Sequence, residues 1–123
     1  MKSALTFFTI SLLLTGCNSG DTKLRQQIAG TWINSVSNCT VTIFSNGSFV
    51  TRYTFVKTNV TSELIYQGKW QIKNGVMIST TTNVSGPEPR ETVGTTDNSK
   101  IIRLNDRELI FDGLQKAFLT RKR

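Results

Sequence analysis

The feature that most constrains this chain is a two-residue alternation of apolar and polar side chains, cut at short intervals by Asn-Gly pairs. In residues 64–73, Leu64, Tyr66, Gly68, Trp70 and Ile72 fall on one side of an extended chain. Gln67, Lys69, Gln71 and Lys73 fall on the other. Successive strand side chains point to opposite faces, so this segment predicts a strand with one dry face and one wet face. Asn74-Gly75 ends it, and Asn46-Gly47 separates residues 39–44 from 49–57. Both residue types tolerate positive φ, which tight hairpin turns demand.

The same punctuation recurs at Asn105-Asp106 and Asp112-Gly113, and Ser85-Gly86-Pro87-Glu88-Pro89 marks a wider loop. Eight strands are predicted, at residues 31–36, 39–45, 49–58, 63–73, 76–84, 91–104, 107–112 and 115–121. Threonine, valine, isoleucine and aromatics fill them, as strands prefer. The sixth is long enough to predict an interruption near Asp97-Asn98. Before them, Asp21 can cap a brief helix with Leu24 and Ile28 on one face, ended by Gly30. Consecutive hairpin-linked strands hide their edges by closing into a barrel or by stacking as a sandwich. The short turns favour an all-β, eight-stranded up-and-down antiparallel barrel preceded by a short N-terminal helix.

The first residues have a different character. Met1-Lys2 precedes an uncharged apolar run from Ala4 to Leu14, followed by Leu14-Thr15-Gly16-Cys17. A bilayer-spanning helix needs roughly 20 apolar residues; a basic start with a shorter apolar run reads as an export signal. The final four residues resemble the lipobox of bacterial lipoproteins. That resemblance implies lipidation of Cys17, removal of residues 1–16, a lipidated tether and short helix over 17–29, and a barrel domain over 30–123. It also implies attachment to a membrane through acyl chains, stable when two or more are present. Asn18 lacks the aspartate that commonly marks inner-membrane retention, so the expected place in a Gram-negative host is the periplasmic face of the outer membrane.

Removing residues 1–16 from the 123-residue chain leaves 107, enough for one domain with one core. Lys2 leaves with the signal, so 14 basic and 8 acidic side chains remain, a net charge of +6. For an exported protein this points away from nucleic acid and towards anionic envelope components, or simply to a solvated surface. With Cys17 lipidated, Cys39 has no intramolecular partner. It is expected to be buried as a small hydrophobe, the lesser alternative being an intermolecular disulfide.

The order of short helix, Gly30-Thr31-Trp32, the Phe44-Ser45-Asn46-Gly47-Ser48-Phe49 hairpin and Gly68-Lys69-Trp70 resembles the small bacterial lipocalin-like domains. The resemblance implies that Trp32 plugs the closed end of the barrel and that Arg121 covers its ring by a cation–π contact. An eight-stranded barrel is only just wide enough for its own side chains. Val41, Ile43, Phe49, Tyr53, Phe55, Tyr66, Trp70, Ile78, Ile102, Leu109 and Phe111 are expected to point inward and fill the lower interior. Any cavity would then be shallow and near the open end. Thr51, Tyr53, Tyr66, Trp70 and Thr80, with Thr82, are the candidate ligand-binding positions. Polar groups there need partners, which either one another or a ligand could supply.

The sequence contains no histidine. That removes Ser-His-Asp and Cys-His catalysis and nearly all zinc sites, so neither a metal nor a cofactor is expected. Asp106 with Glu108, and Glu88 with Glu91, could in principle form acid–base pairs, but a solvated surface accounts for each. The expectation is a non-catalytic binding module for a small amphipathic ligand or envelope component. The alternative is a protein-interaction or assembly lipoprotein using Arg52, Lys69, Lys73, Arg103 and the loop at Pro87–Pro89.

Overall fold

A computed structural model describes residues 19–89, 91–112 and 117–122. The signal segment, Cys17, the Asp112-Gly113 turn beyond Asp112, and Arg90 of the wide loop lie outside the described residues. Those described form helix α1 (Ser19–Ile28) and eight strands: β1 (Gly30–Asn34), β2 (Cys39–Ile43), β3 (Ser48–Lys57), β4 (Val60–Lys73), β5 (Val76–Ser85), β6 (Thr96–Leu104), β7 (Glu108–Asp112) and β8 (Ala117–Arg121). Each strand pairs antiparallel with the next, and β8 returns to β1 through Trp32↔Arg121 and Ile33↔Thr120. The result is a closed up-and-down barrel, in which each of the eight strands has a hydrogen-bonded neighbour on both sides.

Turn chemistry sets the registers. Asn74 and Gly75 have φ of 54° and 75° and make a two-residue turn that opposes Lys73 to Val76 and Ile72 to Met77. Thr58 and Asn59 do the same between Lys57 and Val60, with φ of 55° and 64°. That second turn is tighter than the sequence suggests, because a β-branched residue rarely adopts positive φ.

The barrel is shut at one end. Ile28 and Trp32 are fully buried and join Ile43, Phe49, Trp70, Ile72, Met77, Leu109 and Leu119 in one core, with Leu24 packed against it. The helix and strands thus enclose this core among themselves. Asp21 does not cap the helix as its position suggests. It sits within the first turn, buried, where Oδ2 accepts the Asn74 N–H at 2.8 Å and Oδ1 the Gly75 N–H at 3.0 Å. A carboxylate from the helix thereby satisfies two turn amides of the β4–β5 hairpin. Arg25 Nη1 adds a bond to the Ile72 carbonyl at 3.2 Å.

Three expectations need correction. Strand β6 begins at Thr96, because residues 91–95 form a turn with Gly94 at φ 97°; Asp97 and Asn98 pair with Ser79 and Ile78 rather than interrupting the strand. Ile102 is half exposed, since the β6–β7 register shifts between Ile101 and Arg103 and turns it outward. Along β5 the inward side chains are Met77, Ser79 and Thr81, opposite Ile72, Trp70 and Gly68. Ile78, Thr80 and Thr82 therefore lie on the outer face.

Candidate functional site

Opposite the helix the barrel opens into a cavity of about 520 Å³. Its floor is apolar, made by Val41, Ile43, Phe49, Met77, Phe111 and Leu119. Its wall and mouth are polar, carrying Cys39, Thr51, Tyr53, Ser79, Glu91 and Asp97. Space opens above the floor because Thr51 and its partner Val41 are smaller than Phe49 and its partner Ile43. Val36, Val56, Val60 and Val93 are exposed on the turns and hairpin around this end.

The candidate positions divide. Thr51 and Tyr53 line the cavity. Tyr66 is buried behind Tyr53, with ring centroids 6.0 Å apart and planes at 85°, and its hydroxyl accepts the Glu91 N–H at 3.3 Å. Trp70 lies in the closed-end core, and its indole N–H is shared by the carbonyls of Phe44 at 2.9 Å and Ser48 at 3.0 Å. With both its ring and its donor engaged, Trp70 packs within the closed-end core and does not line the cavity. Thr80 is on the outer face, its hydroxyl 3.1 Å from that of Thr96.

At the other end, Trp32 donates its indole N–H to the Ile28 carbonyl at 2.8 Å, and the guanidinium carbon of Arg121 lies 4.2 Å from the ring centroid. Gly30, at φ 140°, is where this lid passes: a Cβ there would collide with Arg121 Nη1.

Glu91 and Asp97 reach the site from places where the sequence suggested solvated surface or an interrupted strand. The turn at residues 91–95 is tied to β5 through Thr81, whose N–H donates to Thr95 O at 2.9 Å and whose carbonyl accepts Gly94 N–H at 2.8 Å. Thr81, itself buried, also donates its hydroxyl to Glu91 Oε1 at 3.0 Å. Asp97 faces inward across from Ser79. Two neutral ionisable groups complete the wall. Burial pushes the Cys39 thiol up, partly offset by its hydrogen bond with Tyr53. Burial, then the charge Cys39 carries once ionised in alkali and its hydrogen bond, and the charge of Glu91, push the Tyr53 hydroxyl up to about 12. Both therefore enter the cavity protonated near neutral pH.

Compared by sequence, the chain matches no known protein family and no curated protein.

Among the described residues, no group of three or more His, Cys, Asp or Glu side chains could hold a metal ion, and no helix is long and apolar enough to cross a membrane. Of the basic outer face suggested by the sequence, Arg52 is paired with Glu63 at 3.8 Å and Arg103 with Glu108 at 3.4 Å. The loop at residues 86–89 packs against β4: a Cβ on Gly86 would strike the Glu63 carbonyl, and Lys57 reaches Glu88 Oε2 at 2.9 Å.

Proposed function

We propose that this chain is a bacterial envelope lipoprotein, anchored through acyl chains on Cys17, whose barrel is a non-catalytic binding module for a small amphipathic molecule. The observation that carries the reading is the cavity of about 520 Å³, apolar at its floor and polar at its mouth. Pockets of roughly 300–1,000 Å³ with apolar linings and a few placed polar groups are the usual size and chemistry of small-molecule sites. The Met1–Cys17 segment supports the anchor by its resemblance to lipoprotein signals, which in a Gram-negative host leads to the periplasmic face of the outer membrane. Native mass spectrometry of the acyl-free domain purified from its host tests the binding reading. A reproducible extra mass released on denaturation is the expected result, and repeated recovery of the bare chain counts against it. The intact mass of the mature chain, compared with a Cys17→Ser variant, tests the anchor.

A second reading, a protein-interaction or assembly role, is favoured by one observation. Strands β3 and β4 run past their neighbours: β2 pairing ends at Tyr53 and β5 pairing at Ile65, leaving a projecting hairpin that exposes Val56 and Val60. Crosslinking in intact cells separates the two, since one dominant protein partner favours assembly.

A further inference from the structure

The chain is strongly basic, with 15 Lys and Arg against 8 Asp and Glu. The cavity lining reverses that balance among the described residues. Among the described residues lining it, the charged side chains are Glu91 and Asp97, and no lysine or arginine reaches the wall. The neighbouring ionisable groups, Cys39 and Tyr53, are held protonated by burial, so they are neutral and supply only hydrogen-bonding capacity. Glu91 is fixed by the Thr81 hydroxyl, which leaves Oε2 without a hydrogen bond from that anchor. A ligand seated with its apolar part on Val41, Phe49, Met77 and Leu119 brings its polar end to this level of the barrel.

We propose that the cavity selects an amphipathic amine: an apolar tail on the floor and a cationic ammonium group between Glu91, Asp97 and the Tyr53 hydroxyl. The proposal rests on the cavity-binding reading and adds the charge of the head group. An alkyl carboxylate or phosphate would instead set its anion against two carboxylates, the half-buried Glu91 and the exposed Asp97, and be repelled by both. A neutral alcohol would gain the same floor and the hydroxyl contacts but no charge attraction. The ammonium group also matches the donor and acceptor count, because its three N–H groups face acceptors and it presents none of its own.

Isothermal titration of the chain from Asn18 onward, which keeps the helix and all eight strands, tests this with octylamine, octan-1-ol and octanoate. Octylamine is expected to bind roughly tenfold tighter than octan-1-ol, and octanoate more weakly than either. In a Glu91→Gln/Asp97→Asn variant the roughly tenfold preference for the amine over the alcohol should disappear, leaving the two bound about equally. The amide introduced at position 91 keeps an oxygen for the Thr81 hydroxyl, and retained alcohol binding shows that the variant folds. Octanoate binding as tightly as octylamine, or an amine preference that survives both substitutions, overturns the proposal and leaves the cavity reading standing. Failure of all three probes to bind overturns the cavity reading itself.

Discussion

The Arg121 guanidinium stacks on the Trp32 indole at 4.2 Å while donating to three backbone carbonyls, Asp106 at 2.9 Å, Ala29 at 3.1 Å and Gln27 at 2.8 Å. One planar group thus ties the end of the last strand to the end of the helix, to the β6–β7 turn and to the plug of the barrel. Only a fork of donors in one plane can serve three acceptors and a ring face together.

Arg121→Met should therefore lower stability by about 2–4 kcal/mol, combining the lost stack with carbonyls left without a donor. Arg121→Lys should recover less than half, since a single ammonium cannot span the three acceptors. Urea unfolding followed by tryptophan fluorescence reads both, and a lysine variant as stable as the parent would refute the role given to the planar fork.

Asp21→Ala removes the acceptor of the Asn74 and Gly75 amides. A loss of about 1–3 kcal/mol is expected. The more specific signature is faster hydrogen exchange at those two amides than elsewhere in β4 and β5. Unaltered exchange there would mean that the helix docks through Leu24, Ile28 and the Arg25–Ile72 bond without help from Asp21.

Two glycines should respond differently to a methyl group. At Gly68 a Cβ would strike the Thr80 carbonyl and the Phe49 ring, so Gly68→Ala should destabilise by about 3 kcal/mol through overpacking. At Gly75 the space is open and only the φ of 75° is unfavourable, so Gly75→Ala should cost about 1 kcal/mol. Reversal of that order in thermal or urea unfolding would contradict the packing at the β4–β5 bulge.

Tyr53 makes the fold sensitive to alkali. Its hydroxyl titrates near 10 when unfolded and about 12 when folded, chiefly through burial. The folded state thus holds the proton more tightly, and the stabilisation is complete below pH 10 and disappears as pH rises through 12. Tyr53→Phe should flatten the fall in stability across that window. An equal fall in parent and variant would assign the alkaline transition to other groups.

The strand pattern of residues 64–73 is legible in the sequence because its apolar and polar positions separate cleanly. Residues 76–84 are less so, since Val76 and Ile78 share one parity while Met77 stands on the other, and threonines occupy both. Hydropathy alone favours Ile78 and Thr80 as inward, but the Asn74-Gly75 turn decides otherwise. A two-residue hairpin sets 72 against 77, so an inward Ile72 requires an inward Met77, Ser79 and Thr81. That signal is present in the turn. No comparable signal announces the register shift that turns Ile102 outward, or the turn at residues 91–95 that brings Glu91 to the mouth. Both depend on contacts between strands distant in sequence. The candidate site is accordingly half legible: Thr51 and Tyr53 follow from the hairpin at Asn46-Gly47, whereas its two carboxylates follow from tertiary structure.

The position of α1 has one more consequence. The helix lies across the shut end, its first turn bonded to the β4–β5 hairpin, and Cys17 precedes Ser19 by only two residues, a reach of about 7 Å. An acyl anchor at Cys17 would therefore grip the molecule by its base and turn the mouth away from the lipid. Cargo would then be exchanged with whatever stands across the aqueous gap, so the protein would work as a receiver facing outward from its membrane and not as an extractor of molecules from the bilayer beneath it.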